Sequence, residues 1–210
     1  MPKIGRWFRD ITISEKLDGT NGSIWVGLLP SAPEDSGPAG AVVEGPHELT
    51  GEPVLYVVRA GSRTRFVTPQ DDNFGFARWV YDNAAALTAL GVGTHFGEWW
   101  GRGIQRGYGQ AGRTFSLFNV GRWANNIAGL QFDGQEMIPD VPQLSVVPVL
   151  YRGPLSAANG VDPIREAARR LTYSGSLAAP GFMDAEGVMV YHEALRTYGK
   201  YSLDGDGHKG

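Results

Sequence analysis

The sequence predicts an α+β fold built from antiparallel sheets and a few helices. Short segments that alternate apolar and polar residues recur along the chain, and turn-forming residues separate them, as is typical of strands. Two segments instead carry apolar residues at helical spacing. The 30 glycines among 210 residues indicate many turns and close backbone approaches, as in a strand-rich protein with a substrate cleft.

The N-terminal part predicts a hairpin followed by a long loop. Residues 11–17 and 23–29 alternate around an Asp-Gly-Thr-Asn-Gly turn, which favours two paired strands. Residues 30–53 are rich in Pro, Gly, Ala and Glu without periodicity, so we expect a surface loop there. Residues 54–60 predict the next strand.

Two helices and several strands complete the prediction. The first helix lies between Asp72 and Leu90, before Gly91, and the second begins at Asp162-Pro163 and runs to about Leu171. Further strands are predicted at residues 94–100, 114–120, 145–151, 187–192 and 197–203. No internal repeat or linker divides the sequence, so we expect a single domain over residues 1–210.

Composition excludes several classes of protein. The absence of cysteine excludes disulfides and thiolate metal sites and fits a reducing compartment. No apolar run reaches membrane-spanning length, and the N-terminus lacks a signal-peptide core, so we expect a cytoplasmic protein with no membrane partner. The net charge of −3 argues against a broadly basic, nucleic-acid-coating surface but leaves room for a basic cleft.

The arginines are unevenly spread, and six of them form two groups, at positions 59, 63 and 65 and at positions 102, 106 and 113. These groups fit either solvated loop charge or a local phosphate-binding surface, because guanidinium groups match phosphate geometry.

The run Glu15-Lys16-Leu17-Asp18-Gly19 directly follows an apolar alternating segment. Lysine is rarely a nucleophile, because its amine is almost wholly protonated at neutral pH, and a protein that uses one must remove that proton. On its own the run also fits a strand that ends in an Asp-Gly turn.

Residues 95–101 read His-Phe-Gly-Glu-Trp-Trp-Gly. Side chains alternate along a strand, so Phe96 and Glu98 share one face and could offer a ring to a nucleobase and a carboxylate to ribose hydroxyls. The alternative is a buried aromatic strand whose acid is exposed.

Three further segments carry charged residues beside predicted strands. Glu186 precedes an apolar strand, where it could hold a divalent cation or simply face water. Lys200 lies on the last strand and can aim at a phosphate, and Lys209 could do so too or belong to a frayed terminus. Arg63 lies in the run Gly-Ser-Arg-Thr-Arg after a strand, which suits contacts to phosphate or sugar.

Taken in order, these runs resemble the motif series of the covalent nucleotidyltransferases, the superfamily of DNA ligases, RNA ligases and mRNA capping enzymes. The runs Ser62-Arg63-Thr64-Arg65 and Asp72-Asn73-Phe74-Gly75-Phe76 are most similar to the RNA ligase branch of the T4 RNA ligase 2 type and its phage-encoded relatives. The resemblance covers residues 11 to 203. It implies an ATP-grasp-like ligase adenylation domain, in which antiparallel sheets flank a nucleotide cleft.

The resemblance also implies a function and a role for each residue. The protein would be an ATP-dependent RNA ligase that uses Mg²⁺ or Mn²⁺ and joins 5′-phosphate and 3′-hydroxyl RNA ends, as in phage RNA repair. Lys16 would carry AMP, Asp18 would orient or activate Lys16, and Glu186 would position the metal. Glu15 would lie at the adenine amino edge, mainly through its backbone, and Phe96 would stack on adenine. Glu98 would bind the ribose, and Arg63 the ribose or the AMP phosphate. Lys200 would contact the α-phosphate and help to keep Lys16 unprotonated.

The sequence departs from the family pattern in two respects. Ser202 stands where the last motif usually has a second lysine, which Lys209 could replace. We expect neither an OB-fold nor a C-terminal nucleic-acid-binding domain. The alternatives to an RNA ligase are a DNA ligase, an mRNA guanylyltransferase, and a nucleotide- or RNA-end-binding protein without efficient turnover.

Overall fold

The computed structural model describes residues 9–29, 40–72, 74–124, 134–155 and 162–204. Within these ranges the chain forms an α+β fold, as the sequence predicts. The strands are β1 (Asp10–Lys16), β2 (Thr20–Leu28), β3 (Ala41–Pro46), β4 (Pro53–Gly61), β5 (Phe66–Val67), β6 (Gly93–Gly101), β7 (Arg113–Leu117), β8 (Trp123–Ala124), β9 (Glu136–Met137), β10 (Leu144–Val146), β11 (Val149–Pro154), β12 (Gly187–His192) and β13 (Thr197–Ser202). The α-helices are α1 (Phe76–Asp82), α2 (Ala84–Leu87) and α3 (Pro163–Ser174).

The smaller main sheet has four antiparallel strands in the order β11-β1-β12-β13. Helix α3 packs on one face of this sheet, where Leu171 joins Ile11, Ile13 and Val188 in a buried cluster. The helix begins where predicted, because the Asp162 carboxylate accepts hydrogen bonds from the first backbone N–H groups and proline fills the first helical position. The opposite face of the sheet borders a cleft.

The larger sheet runs in the order β10-β7-β6-β2-β4-β3, and β5 pairs with β4. Helices α1 and α2 cover one face with an aromatic core that includes Phe76, Trp79, Trp99 and Phe115. Two strand pairs, β7 with β10 and β8 with β9, are parallel, so the expectation of antiparallel sheets is right for the other pairs and wrong for these.

The predicted hairpin of residues 11–17 and 23–29 is wrong. Strand β1 belongs to the four-stranded sheet and β2 to the larger one, so the chain crosses between sheets at residues 17–19. Leu17 is buried in a cluster with Trp100, Tyr108 and Val147 that joins the two sheets. Burial of this leucine outweighs the local hairpin preference of the Asp-Gly turn.

Four predicted elements also change. The strand predicted at residues 145–151 is two strands in different sheets, because β10 pairs with β7 in the larger sheet and β11 pairs with β1 in the smaller one. Residues 41–46 form the edge strand β3 inside the predicted loop, because alternate side chains such as Val43 pack onto the core. The helix predicted between Asp72 and Leu90 starts only after Gly75, which has a φ of 72°, and is interrupted at Asn83. Strand β7 ends at Leu117 rather than at residue 120. None of the helices in the described part of the chain has the length and apolarity to cross a bilayer.

Candidate active site

A cleft of about 1460 Å³ lies between the two main sheets. Strands β1, β12 and β13 line it from the smaller sheet, and β2 and β6 line it from the larger one. The predicted site residues in the described ranges all contribute to its lining, namely Glu15, Lys16, Asp18, Arg63, Phe96, Glu98, Glu186 and Lys200. Lys209 lies outside the described residues.

The predicted nucleophile, Lys16, forms an ion pair with Glu186. Lys16 is the last residue of β1 and pairs in register with Gly187, which brings the preceding Glu186 to its side. The Lys16 Nζ donates to Oε1 of Glu186, and the two side chains are only 24% and 16% exposed. Oε2 of Glu186 is buried, and no group in the described part of the chain donates a hydrogen bond to it. This carboxylate therefore anchors the amine and keeps one oxygen available to a ligand.

The segment that follows Lys16 is fixed by three different contacts. The backbone N–H of Asp18 donates to the Tyr108 hydroxyl oxygen at 2.9 Å, while Leu17 fills the joint between the sheets. A side chain at Gly19 would place its Cβ 2.5 Å from the carbonyl oxygen of Trp99, so only glycine allows this approach to β6. The sheet crossing therefore holds Lys16 against the strand that carries Glu98.

Asp18 interacts with an arginine rather than directly with the lysine amine. Its Oδ2 accepts a hydrogen bond from Nε of Arg106 at 3.1 Å. Arg106 also forms ion pairs with Asp184, at 2.9 Å, and with Asp204. This guanidinium joins the turn after Lys16, the segment before Glu186 and the end of β13, so it is not free for the phosphate contact that its sequence neighbourhood suggested.

Phe96 and Glu98 share the cleft-facing side of β6. The alternative from the sequence was a buried aromatic residue and an exposed acid, whereas in the structure the ring is exposed and the acid is buried. Phe96 is 60% exposed, whereas Glu98 is 8% exposed and accepts a hydrogen bond from Nδ2 of Asn21 at 2.9 Å. Burial raises the pKa of the Glu98 carboxyl to about 7, although Asn21 and the nearby charge of Lys16 act against the rise. The strand thus presents an open ring beside a desolvated hydrogen-bonding acid.

Glu15 lies on the opposite face of β1 from Lys16, because side chains alternate along the strand. Its Oε2 accepts hydrogen bonds from the backbone N–H groups of Leu177 and Ala178, at 2.9 and 3.1 Å, in the loop after α3. Burial raises the pKa of the Glu15 carboxyl, and hydrogen bonding from Ser176 and from these N–H groups opposes the rise. The Glu15 side chain therefore fixes the loop after α3 and does not share the face of β1 that carries Lys16.

Two cations complete the cleft, one on each side. Arg63 is exposed in the turn after β4, and Lys200 is exposed on β13 opposite Met189. In the described ranges neither side chain has an acidic partner. Both are therefore available to an anionic ligand, which fits the phosphates of a nucleotide.

Comparison with protein-family models shows to which family this chain belongs. A family model described as RNA ligase matches residues 9–202. The chain belongs to the RNA ligase family. No match is found among curated proteins. The match to the RNA ligase family begins just before β1 and ends at Ser202, so it spans both walls of the cleft.

The register of β13 locates the departure from the RNA ligase pattern. Ser202 lies opposite Gly187 on β12, in the row of residues that contains Lys16. Its hydroxyl is 3.4 Å from the backbone oxygen of Glu186, which is a weak contact. A lysine at this position would add a second cation to that row, and this chain has only the hydroxyl there.

Sequence reasoning missed three residues that organise the site. Tyr108 supports the backbone of Asp18, Asn21 orients Glu98, and Arg106 connects three acidic segments. Arg106 stood out only as one of a group of arginines, and its partners are 78 to 98 residues away along the chain. No local sequence pattern reports contacts over that distance.

Proposed function

We propose that this chain is an ATP-dependent RNA ligase that joins 5′-phosphate and 3′-hydroxyl ends through an AMP adduct on Lys16. The observation that carries the proposal is the position of Lys16 at the end of β1. It lies between an open aromatic ring with a buried acid and two cations, Arg63 and Lys200, that have no acidic partner among the residues the structure describes. Membership of the RNA ligase family supports RNA as the substrate.

The nucleotide would bind with its base on the Phe96 ring and its ribose hydroxyls hydrogen-bonded to Glu98. Base stacking on an exposed aromatic ring stabilises binding by about 1–3 kcal/mol. Lys200 and Arg63 would contact the phosphates, which places the α-phosphate near Lys16. Catalysis of phosphoryl transfer depends mainly on such positioning and on charge neutralisation.

The first step forms a nitrogen–phosphorus bond. Lys16 must lose a proton to provide a lone pair. Its Nζ then attacks the α-phosphorus of ATP, the bond between the α-phosphorus and the bridging oxygen breaks, and pyrophosphate leaves. In the second step an oxygen of the RNA 5′-phosphate attacks the same phosphorus, and the Lys16 amine leaves. In the third step the 3′-hydroxyl oxygen attacks the 5′-phosphate and AMP departs.

Glu186 fits a divalent cation, because its buried Oε2 accepts no hydrogen bond from any residue that the structure describes. Mg²⁺ commonly uses one or two carboxylates together with substrate phosphates and water. The described residues contain no cluster of three or more His, Asp or Glu side chains that could hold a metal by themselves, so phosphate oxygens would have to complete the coordination. Bound there, Mg²⁺ or Mn²⁺ would neutralise charge on the phosphates.

Self-adenylylation tests this proposal. The protein is incubated with ATP and Mg²⁺, and intact mass and peptide mapping locate the adduct among its four lysines. We expect one adenylyl group on Lys16 that survives base and is lost in acid, as a phosphoramide is. Lys16→Arg should abolish the adduct, and Lys3→Arg is the matched control that should retain it. An adduct on any residue other than Lys16 would contradict the assignment.

Two further arms separate the alternatives. GTP in place of ATP tests guanylyl transfer, and nicked duplexes of RNA or DNA test the polynucleotide preference. Ser202 motivates a second candidate, a nucleotide- or RNA-end-binding protein without efficient turnover. That candidate predicts saturable ATP binding with no covalent adduct.

A further inference from the structure

A row of side chains crosses the cleft face of the four-stranded sheet beyond the proposed reaction centre. Register pairing aligns Arg152 on β11, Thr12 on β1, Tyr191 on β12 and Tyr198 on β13. These four residues line the same cleft as Lys16. We call this set the tyrosine row.

The tyrosine row lies at a defined distance from Lys16. Lys16 pairs with Gly187, Ser14 with Met189 and Thr12 with Tyr191. Each of these cross-strand rows therefore lies two residues nearer the start of β1 than the row before it. Two residues of a strand span roughly 6.8 Å. Lys200, opposite Met189, therefore lies about one such step from the Lys16 row, and the tyrosines lie about two steps from it.

The two tyrosine rings provide an open stacking surface. Their centroids are 4.6 Å apart with an interplanar angle of 37°, and Tyr198 is 64% exposed. Tyr191 is half-buried and supports Tyr198 from one side. The remaining face of Tyr198 can accept a planar group, and nucleobases stack on such rings largely without regard to sequence.

The charges around this surface suit a phosphodiester strand. Glu193 lines the cleft beside this surface, and its carboxylate accepts hydrogen bonds from Nε of Arg152 at 3.1 Å and from the Thr12 hydroxyl at 3.4 Å. Lys200, in the adjacent row, has no acidic partner among residues 9–29, 40–72, 74–124, 134–155 and 162–204. The surface between Lys16 and the tyrosines therefore carries an uncompensated positive charge at the step where a phosphate would lie.

We propose that the tyrosine row is a subsite for the RNA strand that carries the 5′-phosphate, with a base near that end stacked on Tyr198. This inference rests on the proposed function, because that function brings a 5′-phosphate to Lys16. The strand would leave the reaction centre past Lys200 and reach Tyr198 within its first few nucleotides. The occupant is the 5′-phosphorylated strand, because Lys200 lies in the row between Lys16 and Tyr198, where the phosphates of that strand would pass.

An abasic scan tests the subsite in the full-length protein. Fluorescence anisotropy measures the Kd of a 5′-phosphorylated RNA pentanucleotide, labelled at its 3′ end, and of versions with one abasic position each. We expect one abasic position near the 5′ end to weaken binding to the wild-type protein by about tenfold. Tyr198→Ala should weaken binding of the intact oligonucleotide by a similar factor and should no longer discriminate against that abasic probe. Tyr198→Phe should bind like the wild type.

Tyr173→Ala is the matched control, because Tyr173 is 74% exposed on α3, away from the cleft, and its removal should leave Kd unchanged. Equal Kd values for the wild type and Tyr198→Ala with every probe would overturn the proposal. The proposal would also be overturned if Tyr198→Ala bound every abasic probe more weakly than the wild type by the same factor. It would be overturned as well if Tyr198→Ala bound only unphosphorylated RNA more weakly than the wild type. If Tyr198→Ala does not fold, equal Kd values of the wild-type protein for the intact probe and for every abasic probe would still overturn the proposal. Self-adenylylation reports on the proposed function separately.

Discussion

Arg106 holds Asp18 by a hydrogen bond of 3.1 Å from Nε to Oδ2, and the two residues are 88 positions apart in the sequence. The same guanidinium also binds Asp184 and Asp204. Three segments that surround the proposed nucleophile are thus tied to one side chain. Asp18 is the acid of the Lys-x-Asp-Gly run, so the geometry of that run depends on a residue outside it.

Removal of the Arg106 charge should impair adenylylation of Lys16 and lower stability. Arg106→Gln leaves the carboxylates of Asp18, Asp184 and Asp204 near one another without their shared cation. Because Asp184 and Asp204 are well exposed, water screens their repulsion and limits the loss of stability. We expect a loss of about 1–3 kcal/mol in the free energy of unfolding and at least a tenfold slower adenylylation. Urea unfolding and single-turnover rates measure the two quantities. Arg165→Gln, at an exposed position on α3, is the control, and a wild-type rate in Arg106→Gln would refute the positioning role.

Glu98 should make the protein less stable as the pH rises from about 4.5 to about 7. Its pKa is raised from 4.5 to about 7 in the folded state, so the folded protein binds the proton more tightly than the unfolded chain does. The stability from this group is complete below the unfolded value and is lost as the pH passes through the folded value. The difference amounts to on the order of 3 kcal/mol.

Glu98→Gln should remove that part of the pH dependence, because glutamine does not ionise. The measurement is the urea midpoint of both proteins from pH 4 to pH 8. Glu15, whose pKa is also raised by burial, is present in both proteins, so their difference reports on Glu98. Parallel curves for the two proteins would show that Glu98 ionises normally.

Phe96→Ala should weaken ATP binding without destabilising the fold. The ring is 60% exposed, so its removal should change the free energy of unfolding by no more than about 0.5 kcal/mol. Loss of base stacking should raise the Kd of ATP by roughly tenfold. Calorimetric titration with an ATP analogue whose α–β bridge is a methylene group, which Lys16 cannot cleave, measures the Kd. Leu49→Ala, at a highly exposed site, is the control. An unchanged Kd would assign Phe96 no part in nucleotide binding.

Gly19→Ala should disturb the crossing between the sheets. The new Cβ would lie 2.5 Å from the Trp99 carbonyl oxygen, so the backbone on either side must move. We expect a destabilisation of about 1–3 kcal/mol and a marked loss of adenylylation, because the shift would separate Lys16 from the β6 wall. Gly199→Ala is the matched control, since a Cβ there meets nothing within 4 Å. If both variants have the same melting temperature and rate, the close approach at Gly19 has no structural importance.

Much of the fold and of the candidate site was predictable from local pattern. The strand with Phe96 and Glu98 and the helix that begins at Pro163 are both present, because each depends on alternation or on capping within a few residues. Strand β3 was missed because its short alternation lies in a segment dominated by Gly, Pro and Glu. Antiparallel pairing with β4 makes this segment a strand, although its composition does not predict one.

The sequence by itself determined the α+β class, the membership of the RNA ligase family and eight of the residues that line the cleft. Tertiary structure alone decided that Lys16 and Asp18 lie at a crossing between two sheets rather than in a hairpin, that Lys16 pairs with Glu186, and that Asp18 pairs with Arg106. The physical reason is distance along the chain. Strand and turn preferences act over a few residues, whereas burial of Leu17 and the pairing of charges 88 to 170 residues apart exist only once the sheets have packed.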